Sequence, residues 1–351
     1  MPSIRSTRRR GFVLLSFGVS LVVIVAMLGL AVDLGHLYVA KSELQGYADA
    51  ASVAAAYTLD GTSAGLARAT AAAQGGLGSP PNSWNFGSQA VATPQVAFAS
   101  SSAGPFLNSP PTAVGVVFVQ VSVAGSMPLY FLPILPSVSS TAPVSATAIA
   151  GQLIRSNLGD GLSPFSPDAH NAADPNFGFT VGTQYTLKWP PLGQATGCAG
   201  DAGLTAAGGS SNRGFMDVGQ GTGNSALDTV IVSNNFFLPL PLTVGSPVTM
   251  YSGNGNIPGS VQTRFNQDTD TTAPNFSAYQ GNGRRILIVP VNDAQATPRV
   301  AGFAAFFLDP SPCGSGNASS CCAEYIGAGV EFGNHQGGGL GGGLYQVALV
   351  Q

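Results

Sequence analysis

RRRGFVLLSFGVSLVVIVAMLGLAVDLGHLYVAKSELQGYADAASVAAA, residues 8–56, runs without a break from a basic cluster through an apolar run into an amphipathic helix. Residues 12–32 hold 21 positions without a charge; as a helix they extend ~31 Å, the thickness of a bilayer hydrocarbon core. A secretory signal has an apolar core of roughly 7–15 residues and then a small-residue cleavage site. Here the run is longer, and the polarity after it (Asp33, His36, Lys41, Glu43) continues at helical spacing. The segment reads as a retained anchor.

Charge sets the expected orientation. Arg5, Arg8, Arg9 and Arg10 precede the span and Asp33 is the first charge after it, so the positive-inside rule leaves the N-terminus in the cytoplasm and exports everything from Asp33 onward. Asp33 itself reads as a carboxylate at headgroup level, where the polar boundary falls; the sharper alternative is a pair with a cation on a neighbouring subunit. Past the membrane, Leu37, Leu44, Ala48, Ala51 and Ala55 recur at three- and four-residue steps, the apolar stripe of a helix that needs a surface to lie against.

The order RRxG, apolar run, AVDLGxLYxAKxELQ and ADAAxxAAA resembles the N-terminal signature of TadE/TadG-like proteins of the bacterial tight adherence (Flp) pilus-assembly systems. The resemblance implies a membrane anchor with a pilin-like helix, hence a pseudopilin-like or assembly-factor role at the inner membrane, with pilin subunits or other assembly proteins as partners. It also implies a possible prepilin-type cut between Gly11 and Phe12. The fifth position after that cut is Ser16, where prepilins carry a glutamate, and on that departure we expect the N-terminus to be retained.

Of the 13 basic residues four precede the span, whereas all 16 acidic residues follow it; so acidic an exported portion has no electrostatic case for binding nucleic acid or anionic headgroups. Charged residues make up 8% of the chain, with 47 Gly and 25 Pro. Together with a 44% hydrophobic content, that composition indicates loop-rich β structure rather than disorder. Cys198, Cys313, Cys321 and Cys322 are an even set in an oxidising compartment and read as one or two disulfides. The vicinal pair is a poor ring, and Cys313 with either Cys321 or Cys322 would staple the loop between them.

The expected fold class is α+β, a long N-terminal transmembrane and pilin-like helix packed on a small antiparallel sheet and followed by a β-rich, sandwich-like C-terminal domain. The divisions are a basic N-terminus (1–11), the span (12–32), a helix-plus-sheet unit (33–152) and a β-rich periplasmic domain (153–351). In the second part, AVGVVFVQVSV and STAPVSATAIAGQ alternate as strands and MPLYFLPIL is an apolar turn between them. A strand, PLYF and an ATA strand are also what the resemblance implies after the anchor. Beyond residue 156 the strand candidates are YTLKW, GFMDVG, DTVIVSNNFF, SPVTMYSG, RRILIVPVND, VAGFAAFFLD, YIGAGVEF and LYQVALV, with residues 337–343 (GGGLGGG) as a flexible loop.

HExxH and a phosphate-binding glycine loop are missing from the sequence, and its GxSxG match, GTSAG at 61–65, follows the long helix rather than the strand that a nucleophile elbow requires. His170 and His335 stand in loops without a partner at diagnostic spacing, and Asp268 and Asp270 in NQDTDTT lack the full set of a calcium loop. The reading is therefore a binding protein, not an enzyme, with no cofactor and no metal. A membrane-tethered adhesion module unconnected with pili is the second reading, and a cell-envelope hydrolase the third.

Overall fold

The computed structural model describes residues 9–75, 83–84, 86–134, 137–191, 197–206, 213–219, 223–233, 237–251, 257–314, 319–330 and 336–350. Helix α1 (Arg9–Tyr57) is one continuous element of 49 residues. Its first half is exposed from Val13 through Leu28, apart from the half-buried Ala26, whereas Ala40, Leu44, Ala48, Ala51 and Ala55 are buried along one side. The buried line continues downward through Asp33 to Gly29. That places its lower end inside the uncharged run, a turn deeper than the apolar spacing alone reaches.

The helix ends at Tyr57, and a turn through Asp60 leads to Thr62. Thr62 accepts the N–H of Gly65 through its hydroxyl, which starts α2 (Ser63–Ala73) in the manner of a standard N-cap. This second helix folds back on the first, where Tyr47 donates its hydroxyl to the Ala73 carbonyl at 3.0 Å. A short ladder, β1 (Ser83–Trp84) with β2 (Gln89–Ala90), leads into the sheet.

Strands β3 (Gln95–Ala99), β4 (Phe118–Pro128) and β5 (Thr141–Ile154) form an antiparallel meander beneath α1. Val119, Val121 and Val123 of β4 stand opposite Ala150, Ala148 and Ala146 of β5, and all six are buried. Alternation with period two turns this face toward the alanine stripe, and small residues on both sides let helix and sheet approach closely. The open edge of β5 is covered by the helix itself: Lys41 donates to the Ser145 carbonyl at 3.3 Å and Gln45 to that of Thr147 at 3.2 Å. Free edges invite foreign strands, and these two side chains occupy this one.

The β-rich remainder contains β6 (Asn157–Asp160), β7 (Gln184–Lys188), β8 (Phe215–Met216), α3 (Asn224–Val232), β9 (Phe237–Thr243), β10 (Met250–Tyr251), α4 (Pro258–Asn266), β11 (Ile286–Asn292), β12 (Val300–Phe307), β13 (Cys321–Tyr325), β14 (Gly329–Val330) and β15 (Leu344–Val350). Strands β11, β12, β13 and β7 make a four-stranded antiparallel sheet, and β6–β9 and β8–β10 are two-stranded ladders. Leu287, Val289, Phe306 and Tyr325 on one face of the larger sheet meet Leu227, Ile231, Val261 and Phe265 of α3 and α4. The last strand, β15, leaves this region and pairs antiparallel with β5, while β14 pairs parallel with β15. The sheet beneath α1 is thus completed by the end of the sequence.

Two expectations need correction. DTVIV is helical, not extended: Leu227, Val230 and Ile231 recur at helical spacing and are all buried, so the shared face outweighs the β-branched preference for strands. The glycine run 337–343 is held rather than free. Gly338 donates its N–H to the Gln152 side chain at 2.8 Å, and Gln152 in turn donates to the Ala56 and Leu59 carbonyls at the end of α1, at 2.9 and 2.8 Å. Gly342 donates to the Pro175 carbonyl at 2.9 Å.

A Cβ on Gly338 would overlap the Val116 carbonyl. Gly338→Ala is therefore expected to destabilise the protein by about 2 kcal/mol, in the range of overpacked sites. Chemical denaturation of the full chain in detergent measures it; an unchanged midpoint contradicts the packing described.

Candidate functional site: the anchor helix and its junction with the sheet

Asp33 stands where the uncharged run ends, and it is 1% exposed. Its Oδ1 accepts the Tyr130 N–H at 3.0 Å, and its Oδ2 accepts those of Phe131 and Leu132 at 3.0 and 2.7 Å. These donors open the 3-10 turn Leu132–Ile134, whose first amides have no partner of their own. Burial opposes ionisation of this carboxyl, but the three backbone donors, with His36 nearby, outweigh it and hold its pKa below the ordinary value. The carboxylate is accordingly neither solvated at headgroup level nor free for a neighbour's cation. Its acceptors are filled from within the chain.

One turn below, the Phe131 side chain lies directly on Gly29, where any Cβ would overlap it. Only glycine permits this approach. Above Asp33, the His36 ring stacks with Phe86 and Tyr130 at centroid distances of 5.2 and 5.8 Å. The Phe86 N–H reaches the Glu43 carboxylate at 3.3 Å. The loop between β4 and β5 and the turn before β2 therefore both grip the helix as it leaves the apolar run.

Of the other sequence-derived positions, Arg9, Arg10, Gly11 and Phe12 form the first turn of α1; Arg8 and His335 lie outside the described residues. The four cysteines form two disulfides, Cys198–Cys322 and Cys313–Cys321. Cys321 and Cys322 at the start of β13, where the register with β7 shifts between them, take different partners. His170 has a partner after all: its Nε2 lies 2.8 Å from Asp201 Oδ1, a residue 31 positions away that no local spacing reveals. Asp268 is buried, not a solvated turn residue, and accepts from the Tyr279 hydroxyl and the Arg285 N–H at 2.5 and 2.9 Å. Asp270 accepts the N–H groups of Thr272, Ala273 and Gln280.

Sequence reading missed the buried arginines. Arg285 is fully buried and donates to the carbonyls of Leu308, Asp270 and Ala273, with its guanidinium 4.2 Å from the Phe307 ring centroid and 4.7 Å from that of Phe265. Arg264 donates to Ile231, Arg284 and Ile286, tying the end of α3 to β11. Both serve the core of the β-rich region.

A cleft of about 730 Å³ opens where the α1–α2 turn faces that region, lined by Asp60, Gln184, Phe276, Tyr279, Asp309 and Glu324 among others. Burial and the neighbouring Glu324 push the Asp309 carboxyl up to about 6. A carboxyl raised on folding favours the folded state most below its unfolded value near 4, and that contribution is lost as pH rises from about 4 to about 6. Asp309→Asn keeps an acceptor for the Gln184 amide and is expected to raise the melting temperature at pH 7.5 while leaving it unchanged at pH 3.5. Melting curves of both proteins at the two pH values decide it; equal shifts at both contradict the assignment.

The described chain is thus a protein with one long apolar helix near its N-terminus that crosses from an uncovered half into an α+β body. Residues 11–74 match the family model described as putative Flp pilus-assembly TadE/G-like. This chain therefore carries a TadE/G-like segment over α1 and α2; the sheet from β3 onward and the β-rich region lie beyond the matched residues. No curated protein and no solved structure matches the chain.

Proposed function

We propose that this protein is a single-pass inner-membrane component of a tight-adherence pilus apparatus, with its N-terminus in the cytoplasm and its β-rich region in the periplasm. It acts by binding pilins or other assembly proteins, and not by catalysis. The observation that carries this reading is the coincidence of the matched segment with a helix whose first half is apolar and uncovered. The arginines before the span and two disulfides after it support the orientation. A reporter fused after Gln351 that is active only in the periplasm is the expected result; activity in the cytoplasm rejects the topology. Crosslinking in the intact pilus-producing cell should then recover pilin or platform subunits, and a catalogue without them rejects the pilus role.

The N-terminus is proposed to stay uncut, because Ser16 lacks the carboxylate that prepilin processing and assembly favour. Intact mass of the membrane-extracted protein tests this. A mature chain beginning at Phe12 would show the opposite.

A further inference from the structure

We infer a second membrane contact: the turn at residues 129–133, together with Leu34, Tyr38 and Phe86, forms an apolar and aromatic collar that seats the exported body in the headgroup region of the bilayer. This rests on the proposal that α1 spans a membrane. Tyr130 is 60% and Phe131 41% exposed, and Leu34, Tyr38 and Phe86 are exposed as well. Exposed aromatic side chains are ordinarily unfavourable in water, and tyrosines and tryptophans collect at the level where hydrocarbon gives way to headgroups.

The depth of these groups is fixed by their grip on α1. Phe131 packs on Gly29 within the uncharged run, and Tyr38 lies nine residues further up the helix, so the collar covers a band of ~13 Å along its axis. That band straddles the interface, whose polar layer is roughly 5–8 Å thick on each side of the hydrocarbon core. Charge agrees with this placement. No charged residue stands between Arg68 and Arg155, Asp33 is filled by three amides, and Lys41 and Glu43 come two turns higher. The surface is continuous with the span itself, which identifies lipid as its occupant rather than a soluble partner.

The test uses nitroxide labels on single cysteines introduced by Val22→Cys, Tyr130→Cys, Phe131→Cys and Leu240→Cys in the full chain; the native cysteines are all in disulfides. The labelled protein is placed in vesicles of phosphatidylethanolamine and phosphatidylglycerol, and accessibility to oxygen and to a nickel chelate is compared. Expected is an oxygen-to-nickel ratio highest at 22, intermediate at 130 and 131, and lowest at 240, with the two loop sites several-fold above 240. If 22 is immersed while 130 and 131 match 240, the collar is wrong and the span stands. If 130 and 131 are shielded from both reagents, a second copy occupies the surface and the lipid contact is overturned. If 22 is open to nickel, the span itself fails and the collar with it. Tyr130→Cys keeps the backbone N–H that Asp33 accepts, so it reports even where Phe131→Cys disturbs the packing on Gly29.

Discussion

Asp33→Ala is expected to destabilise the membrane-proximal unit by about 3 kcal/mol, since three amides lose their acceptor at a site closed to water and each buried unpaired amide carries a penalty of about 1–3 kcal/mol. The lower end applies because the 3-10 turn at Leu132–Ile134 can relax toward solvent once released. Asp33→Asn should fall between wild type and alanine: one oxygen still accepts, but the charge is gone and an NH2 group replaces the other acceptor. Because the folded pKa lies below the ordinary value, this contribution is complete above the unfolded carboxyl pKa and is lost as pH falls through the folded one. Thermal unfolding in detergent, with limited proteolysis between β4 and β5 as the local readout, measures both effects. A variant that melts like wild type and shows no new cleavage in residues 129–134 would mean that the carboxylate does not hold the turn.

The larger effect is expected from the long-range disulfide. Cys198 and Cys322 are 124 positions apart, whereas Cys313 and Cys321 are separated by 8. Closing a loop restricts the unfolded chain more as the loop grows, and the chain-entropy relation assigns about 5 kcal/mol to the first bridge and about 2.5 kcal/mol to the second. Replacing Cys198 and Cys322 together by serine should therefore lower the denaturation midpoint by roughly twice as much as replacing Cys313 and Cys321 together. Pairwise substitution avoids leaving a free thiol beside the remaining bridge. An inverted ranking in the full chain would show that local packing around the short loop, and not the connectivity of β13 to the segment before the 3-10 turn Ala199–Asp201, dominates.

What could be read in advance followed the strength of the periodic signal. The apolar run and the alanine stripe of α1 repeat over many turns, and β4 and β5 alternate over much of their length, so both strands were legible, although β4 begins at Phe118 rather than Ala113 and runs on through Met127 and Pro128, which read as a turn. α3 and α4 are nine residues each, too short for a helical period to stand out, and in α3 the β-branched side chains pointed the other way. The junction was hidden for a different reason. Asp33 was visible as a boundary residue, but its amide partners lie 97, 98 and 99 positions away, and nothing in a one-dimensional pattern joins them. The same holds for Gln152, whose two acceptors are 96 and 93 positions off, and for the glycine run, whose composition suggests freedom while its close contacts require the missing side chains.

The pairing of β15 with β5 also has a consequence for biosynthesis. Arg155 and Gln346, neighbours across this pairing, are 191 positions apart, so a chain that leaves the ribosome N-terminus first presents the upper half of β5 as an open edge while most of the protein is still to be made. Contacts of such separation form slowly, and unpaired edges are where nascent chains associate wrongly. The Arg155 side chain and the Gln152 side-chain oxygen, which accepts from Gly338, await their partners over the same interval. Closure of the sheet beneath α1 is thus a late step of folding: it waits for β15, and a chain released before residues 344–350 are made would carry a complete α1 beside an open β5 edge.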